Sequence, residues 1–180
     1  MKKAFCLVLM IVVFASISAS CSISKKKKPI PTLMTVEEVT SLPKQDLSSN
    51  EVESLYKAVM QEYLTKNVYY QVSSRFTNEE PFLTAYNEEE KILQLISFLL
   101  SKYMLALPGD ETQSEAQEYI RKIRFQADAC EVGSKLEFTK YTLYDNLLKN
   151  IDNEDIQKVF YSILNTSVEK NMKLFEDCNQ

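Results

Sequence analysis

The chain predicts an all-α protein, an up-and-down helical bundle of about five helices after a flexible N-terminal tether. Three observations carry that reading. Apolar residues recur at helical spacing from Ser48 onward, and period-2 alternation with β-branched enrichment occurs nowhere. Helix-start signals, a Ser, Asn or Thr with Glu three residues later, precede several of these stripes. The chain has only two glycines, Gly109 and Gly133, and each falls where a helix is expected to stop.

Residues 1–20 come first and read as a secretory signal peptide. Lys2 and Lys3 precede an apolar run from Ala4 to Ala15, and small residues follow from Ser16 to Ser20. The run is too short to span a bilayer as a helix. Cleavage after Ser20 places Cys21 at the new N-terminus. Of the four cysteines, Cys6 leaves with the leader, so Cys21, Cys130 and Cys178 remain. An odd thiol in an oxidising compartment is usually modified or paired between chains. Lipid on Cys21 would leave Cys130 and Cys178 as an even pair.

Residues 21–47 read as a lipidated flexible tether. They hold Lys25 to Lys28 and three of the five prolines, with scattered Ser and Thr. Such a chain buries too little apolar surface to offset its ordering entropy. About 25 flexible residues reach roughly 25–30 Å. The lysines suit either a solvated linker or anionic headgroups, at ~1 kcal/mol each. Thr35 and Glu38 have capping-box spacing and Pro43 is a stop, which admits a short helix over Val36–Leu42.

Residues 48–180 form the single helical-bundle domain. The first long helix starts near Ser48, with Val52, Leu55, Tyr56, Val59, Met60, Tyr63 and Leu64 on one face. The second is expected from Asn87 to Leu107, apolar on most sides, which suits a central core helix or the wall of an apolar pocket. Pro108-Gly109-Asp110 breaks the chain. The third helix starts near Thr112 or Ser114 and carries Ala116, Ile120, Ile123, Ala127 and Cys130. Gly133-Ser134 starts the fourth, which runs to Ile151, and Asp152-Asn153 caps the fifth, striped from Ile156 to Cys178. Short connections make antiparallel neighbours. The third and fifth helices then run parallel and end together, which brings Cys130 and Cys178 to one end and admits a disulfide.

The absences exclude several chemistries. No histidine occurs, which removes the commonest general base, Ser–His and Cys–His pairs and the usual zinc sites. No cysteines lie in CxxC spacing, and two glycines build neither a phosphate loop nor a dinucleotide fingerprint. Acidic pairs such as Glu154-Asp155 sit at helix starts, where the macrodipole favours them. The chain is expected not to be an enzyme and to need no cofactor or metal. From Gln45 onward 14 Lys and Arg stand against 23 Asp and Glu, a net charge of −9, which speaks against nucleic acid as a partner.

Two places remain as candidate binding sites. Arg121, Lys122 and Arg124 flank the inward Ile120 and Ile123, giving either a solvated helix face or a patch for an acidic surface or glycosaminoglycan. Thr77–Tyr86 reads as the longest loop, with Phe82 and Leu83 either folded over the open end of the bundle or exposed as partner anchors.

Ala19-Ser20-Cys21 resembles a bacterial lipobox, although Ser18 stands where an aliphatic residue is usual. With the Ser/Lys tether and a Trp-free, Gly-poor helical domain, the chain resembles the all-helical surface lipoproteins of Borrelia spirochaetes. The resemblance covers architecture and composition over the full chain. It implies a lipid-anchored protein of the outer membrane, exposed at the cell surface, binding a complement regulator or extracellular-matrix component in adhesion or immune evasion. A cysteine pair within the domain departs from that group. The rival expectation is a secreted carrier of a lipid or other small apolar ligand beside the second helix.

Overall fold

Two reciprocal caps open the chain in the computed structural model, which describes residues 32–76 and 80–178, with only the backbone of 167–169. Thr35 Oγ1 accepts from the Glu38 N–H while Glu38 Oε2 accepts from the Thr35 N–H, and α1 (Val36–Ser41) begins. Ser48 and Glu51 do the same for α2 (Ser49–Ser73). There follow α3 (Glu80–Lys102), α4 (Gln113–Lys122), α5 (Gln126–Leu148) and α6 (Glu154–Thr166). A π-helical stretch, Ser167–Met172, leads from α6 directly into α7 (Lys173–Cys178). No strand occurs among the described residues.

Cross-helix pairs give the topology. Lys66 meets Glu90 at 3.1 Å and Tyr69 meets Phe82, so α3 runs antiparallel to α2. Tyr144 reaches Glu62 and Tyr69 reaches Glu137, so α5 also runs antiparallel to α2. Tyr103 binds Asp155 while Lys170 binds Glu88, which sets α6 antiparallel to α3. These four long elements close a ring. The segment 103–125, with α4 in it, runs beside α2 and in its direction. Tyr63 donates to the Pro108 carbonyl, Asn67 to Asp110, and Arg75 to the Ile120 carbonyl. Counted with α4, the order is five elements, alternately up and down, as expected.

The bundle thus has two ends. Ser49, Lys102, Leu148 and Glu154 lie at one, which α1 joins; Ser73, Glu80, Lys122 and Cys178 lie at the other. The 25 residues of α2 separate them by roughly 37 Å at 1.5 Å per residue. Near α1 the core is Leu55, Ile92, Ile96, Leu99, Val159 and their neighbours. At the far end it is Tyr69, Phe82, Ala129, Cys130, Leu136 and Phe175.

Four expectations need correction. Residues 32–47, read as tether, pack on the bundle: Val39 is fully buried, Leu33, Met34 and Leu47 cover the core, and Lys102 Nζ donates to the Val39 and Leu42 carbonyls. The short helix is what makes this docking possible, by turning Val39 inward. Next, α3 starts at Glu80 rather than Asn87, because Pro81 sits in the first turn, where no N–H is needed. It also stops at Lys102: Met104 adopts φ 59°, and Leu105 N–H closes back on the Leu100 carbonyl.

The fourth concerns Gly133, which lies inside α5 rather than between helices. A Cβ there would come within 2.5 Å of the Phe175 ring, so the glycine serves close packing and not a stop. The actual break is Ile123–Phe125, where Asp128 Oδ2 accepts from the Arg124 and Phe125 N–H groups. Cys130 therefore belongs to the start of α5, not the end of α4. It still meets the end of the last helix: Cys130 and Cys178 lie side by side with Cα atoms 5.8 Å apart, the spacing a disulfide spans.

Candidate functional site

The residues singled out in the sequence separate into core and surface. Cys21, with Lys25–Lys28, lies outside the described residues. Phe82 is 2% exposed and packs between Tyr69 and Phe175, with ring centroids 5.9 and 5.0 Å away, so it is a core residue and not an anchor. Helical spacing explains the correction, since Phe82 shares the inner face of α3 with Ala85, Glu89 and Ile92. Its neighbour Leu83 points outward and is 51% exposed.

Arg121, Lys122 and Arg124 are all exposed where α4 ends, at the end of the bundle away from α1. The fold adds residues there that the linear pattern did not single out. Arg75, from the end of α2, donates to the Ile120 carbonyl and lies 5.3 Å from the Phe76 ring. Phe125 stands 72% exposed in the turn after the three cations. Lys122 lies 5.6 Å from the Tyr119 ring. No ion pair within 4.0 Å engages Arg121 among the described residues. Asp128 is the nearby acid, and its carboxylate is held by backbone N–H groups, which keeps its pKa below the usual range. Exposed guanidinium groups beside aromatic rings can grip carboxylate or sulfate oxygens in pairs.

A second constellation was not anticipated at all. Halfway along the bundle, Glu62 of α2, Glu89 of α3, and Glu137 and Lys140 of α5 are each fully buried. Lys140 Nζ sits 2.5 Å from Glu89, 3.2 Å from Glu137 and 3.8 Å from Glu62. Tyr144 donates to Glu62 at 2.6 Å, Tyr69 to Glu137 at 2.7 Å, and Asn171 of the π-helical stretch to Glu137 at 3.3 Å. Burial opposes the Lys140 charge, but the three carboxylates outweigh it and hold its pKa above the ordinary value. Burial, with Glu137 for Tyr69 and Glu62 for Tyr144, pushes both phenols well up. The acids fall on inward positions of otherwise apolar stripes, which is the one trace the sequence carried.

Such a layer can hold and share protons, yet no member reaches solvent. Nor do the described residues contain a group of three or more acidic or sulfur ligands arranged to hold a metal ion. The Lys140 ammonium occupies the centre that a bound cation would take.

No family model matches the chain. An uncharacterised protein of the archaeon Methanocaldococcus jannaschii, MJ0754, is 25% identical over 143 residues, which cover 73% of this chain and 77% of that protein. Its crystal structure has a TM-score of 0.70 to this one at 22% sequence identity, over 77% of this chain and 85% of that one. The fold is the same. Likeness at that level carries the helical bundle and nothing about activity. No helix among the described residues is long and apolar enough to cross a membrane.

Proposed function

We propose that the chain is a non-enzymatic surface module, tethered through lipid on Cys21, whose far end binds a host macromolecule such as a complement regulator or matrix component. Adhesion or immune evasion would be its use, in line with the resemblance to helical spirochaete lipoproteins. The observation that supports this reading is placement. The N-terminal segment joins the bundle at one end, through α1 and Lys102, and Arg75, Arg121, Lys122, Arg124 and Phe125 cluster at the other, roughly 37 Å away. An anchor on the near side holds that cluster outward. The rest of the domain is acidic, so the cations mark one orientation for an acidic partner.

Two measurements test it. The intact mass of the native protein must show cleavage before Cys21 and added acyl chains; a water-soluble chain without them removes the tether. Capture of serum or matrix proteins should fall about tenfold or more in Arg121→Glu/Lys122→Glu and in Phe125→Ala, with helical circular dichroism unchanged. Equal capture by these variants ends the assignment to this face. Phe82→Ala is unsuitable, since it opens a core cavity.

One feature favours the carrier reading. Tyr63, Leu93, Phe98 and Leu107 line an open groove of about 530 Å³ beside α3. A stoichiometric lipid in an organic extract of the purified domain would support a carrier.

A further inference from the structure

Three buried oxygens at the centre of the bundle have no donor: Glu62 Oε2, Glu89 Oε2 and Asn171 Oδ1. The donors around them are already committed. Tyr144 serves Glu62 Oε1, Tyr69 and Asn171 serve Glu137 Oε1, and Lys140 serves Glu89 Oε1 and Glu137 Oε2. Lys140 Nζ also lies 3.8 Å from Glu62 Oε2, beyond hydrogen-bonding distance, and no donor among the described residues lies within that distance of Glu62 Oε2 or Glu89 Oε2. The two carboxyl groups are neighbours, since Lys140 Nζ touches both, Glu89 Oε1 at 2.5 Å and Glu62 Oε2 at 3.8 Å. Two carboxylates facing each other in a dry interior repel strongly, and an acceptor buried without a donor is costly.

We propose that Glu62 and Glu89 share one proton in the folded protein at neutral pH, with Glu89 as the carboxylic acid donating through Oε2–H to Glu62 Oε2. The core is thus loaded with a proton, and the bundle loosens when that proton is withdrawn. The shared proton gives both orphaned carboxylate oxygens a partner. It also lowers the imbalance of three carboxylates against one ammonium from −2 to −1.

The surroundings of Glu89 are consistent with this. From α2 it faces Glu62 and Tyr69, and from α5, Glu137, Lys140 and Tyr144; the neutral Asn171 of the π-helical stretch donates to Glu137. On its own helix, Glu88 pairs with Lys91 and Lys170, and Glu90 with Lys66. Burial raises the Glu89 pKa well above its ordinary 4.5; Lys140 opposes the rise, and Glu62 and Glu137 add to it. The folded protein therefore holds this proton more tightly than the unfolded chain. That contribution to stability is complete below pH 4.5 and is lost as pH rises toward the raised value.

Thermal unfolding of the purified chain should show a Tm that falls as pH rises from 5 to 9. Over the range where the folded protein holds this proton and the unfolded chain releases it, the unfolding constant grows about tenfold per pH unit. Glu89→Gln supplies a permanent donor and should flatten the profile over this range. Infrared spectra of the folded wild type at pH 7 should contain the C=O band of a protonated buried carboxyl, absent in Glu89→Gln; this readout stands even where a variant folds poorly. A flat wild-type profile, an unchanged slope in Glu89→Gln, or no such band overturns the proposal. So does a Tm rise with Mg²⁺ or Mn²⁺ at pH 8 that Glu89→Gln abolishes, since a cation would then hold these oxygens.

Discussion

The two halves of the bundle are built by different means. The half beside α1 is packed with aliphatic side chains from α2, α3, α5 and α6, such as Leu55, Ile92, Leu99 and Ile163, each fully buried. Any of these contributes about 1.5–3 kcal/mol by burial alone, and substituting another aliphatic of like volume costs little. The far half relies on particular matches: Phe175 against Gly133, Phe82 against Tyr69, and Cys130 against Cys178. A charged layer divides them. One half follows from periodicity, and the other from fits between single residues far apart in the chain.

The widest breach of this division comes at the layer itself. Lys140→Met leaves three buried carboxyl groups without their cation and should cost roughly 3–5 kcal/mol, read as a lowered urea midpoint. Next is the far end. Opening the Cys130–Cys178 pair, which spans 48 residues, by a double change to Ala should cost roughly 4 kcal/mol on the chain-entropy model. Alkylation before and after reduction, followed by mass measurement, reports whether the thiols are paired in the native protein.

Gly133→Ala sharpens the contrast. In an ordinary helix interior the change stabilises by about 1 kcal/mol; here the Phe175 ring should turn that into a loss of roughly 1–3 kcal/mol. At the opposite end, Glu51→Ala removes a cap that also accepts from the Asp152 and Asn153 N–H groups, and should cost about 1 kcal/mol. Burial raises the Glu51 pKa, but its hydrogen bonds from Ser48, Asn153 and Asp152 outweigh that and hold it below 4.5. The folded pKa is the lower one, so the deficit is full above pH 4.5 and shrinks as pH falls through it. The smallest effect is a gain: Met104→Gly relieves φ 59° at an exposed site and should add at most about 1 kcal/mol.

Legibility in the sequence followed the same line. Ser48 with Glu51 and Thr35 with Glu38 were readable because a capping box is closed within four residues. Gly133 was misread because a helix-stopping glycine and a close-packing one are the same letter; only the arrival of Phe175, far along the chain, separates them. The start of α3 was misread for a related reason, since Pro81 suits both a loop and the first turn of a helix. Arg121, Lys122 and Arg124 were visible as a cluster, but Arg75 and the outward placement of the cluster required the fold.

By itself the sequence determined that the chain folds as helices, where most of those helices start and which face of each is apolar, because propensity, capping and periodicity act over a few residues. Tertiary structure alone decided how the buried acids are neutralised, since Lys140 finds Glu89 across 51 residues and Tyr144 finds Glu62 across 82. A charge on an inward face is only a cost until its partners arrive, and those partners come from other helices.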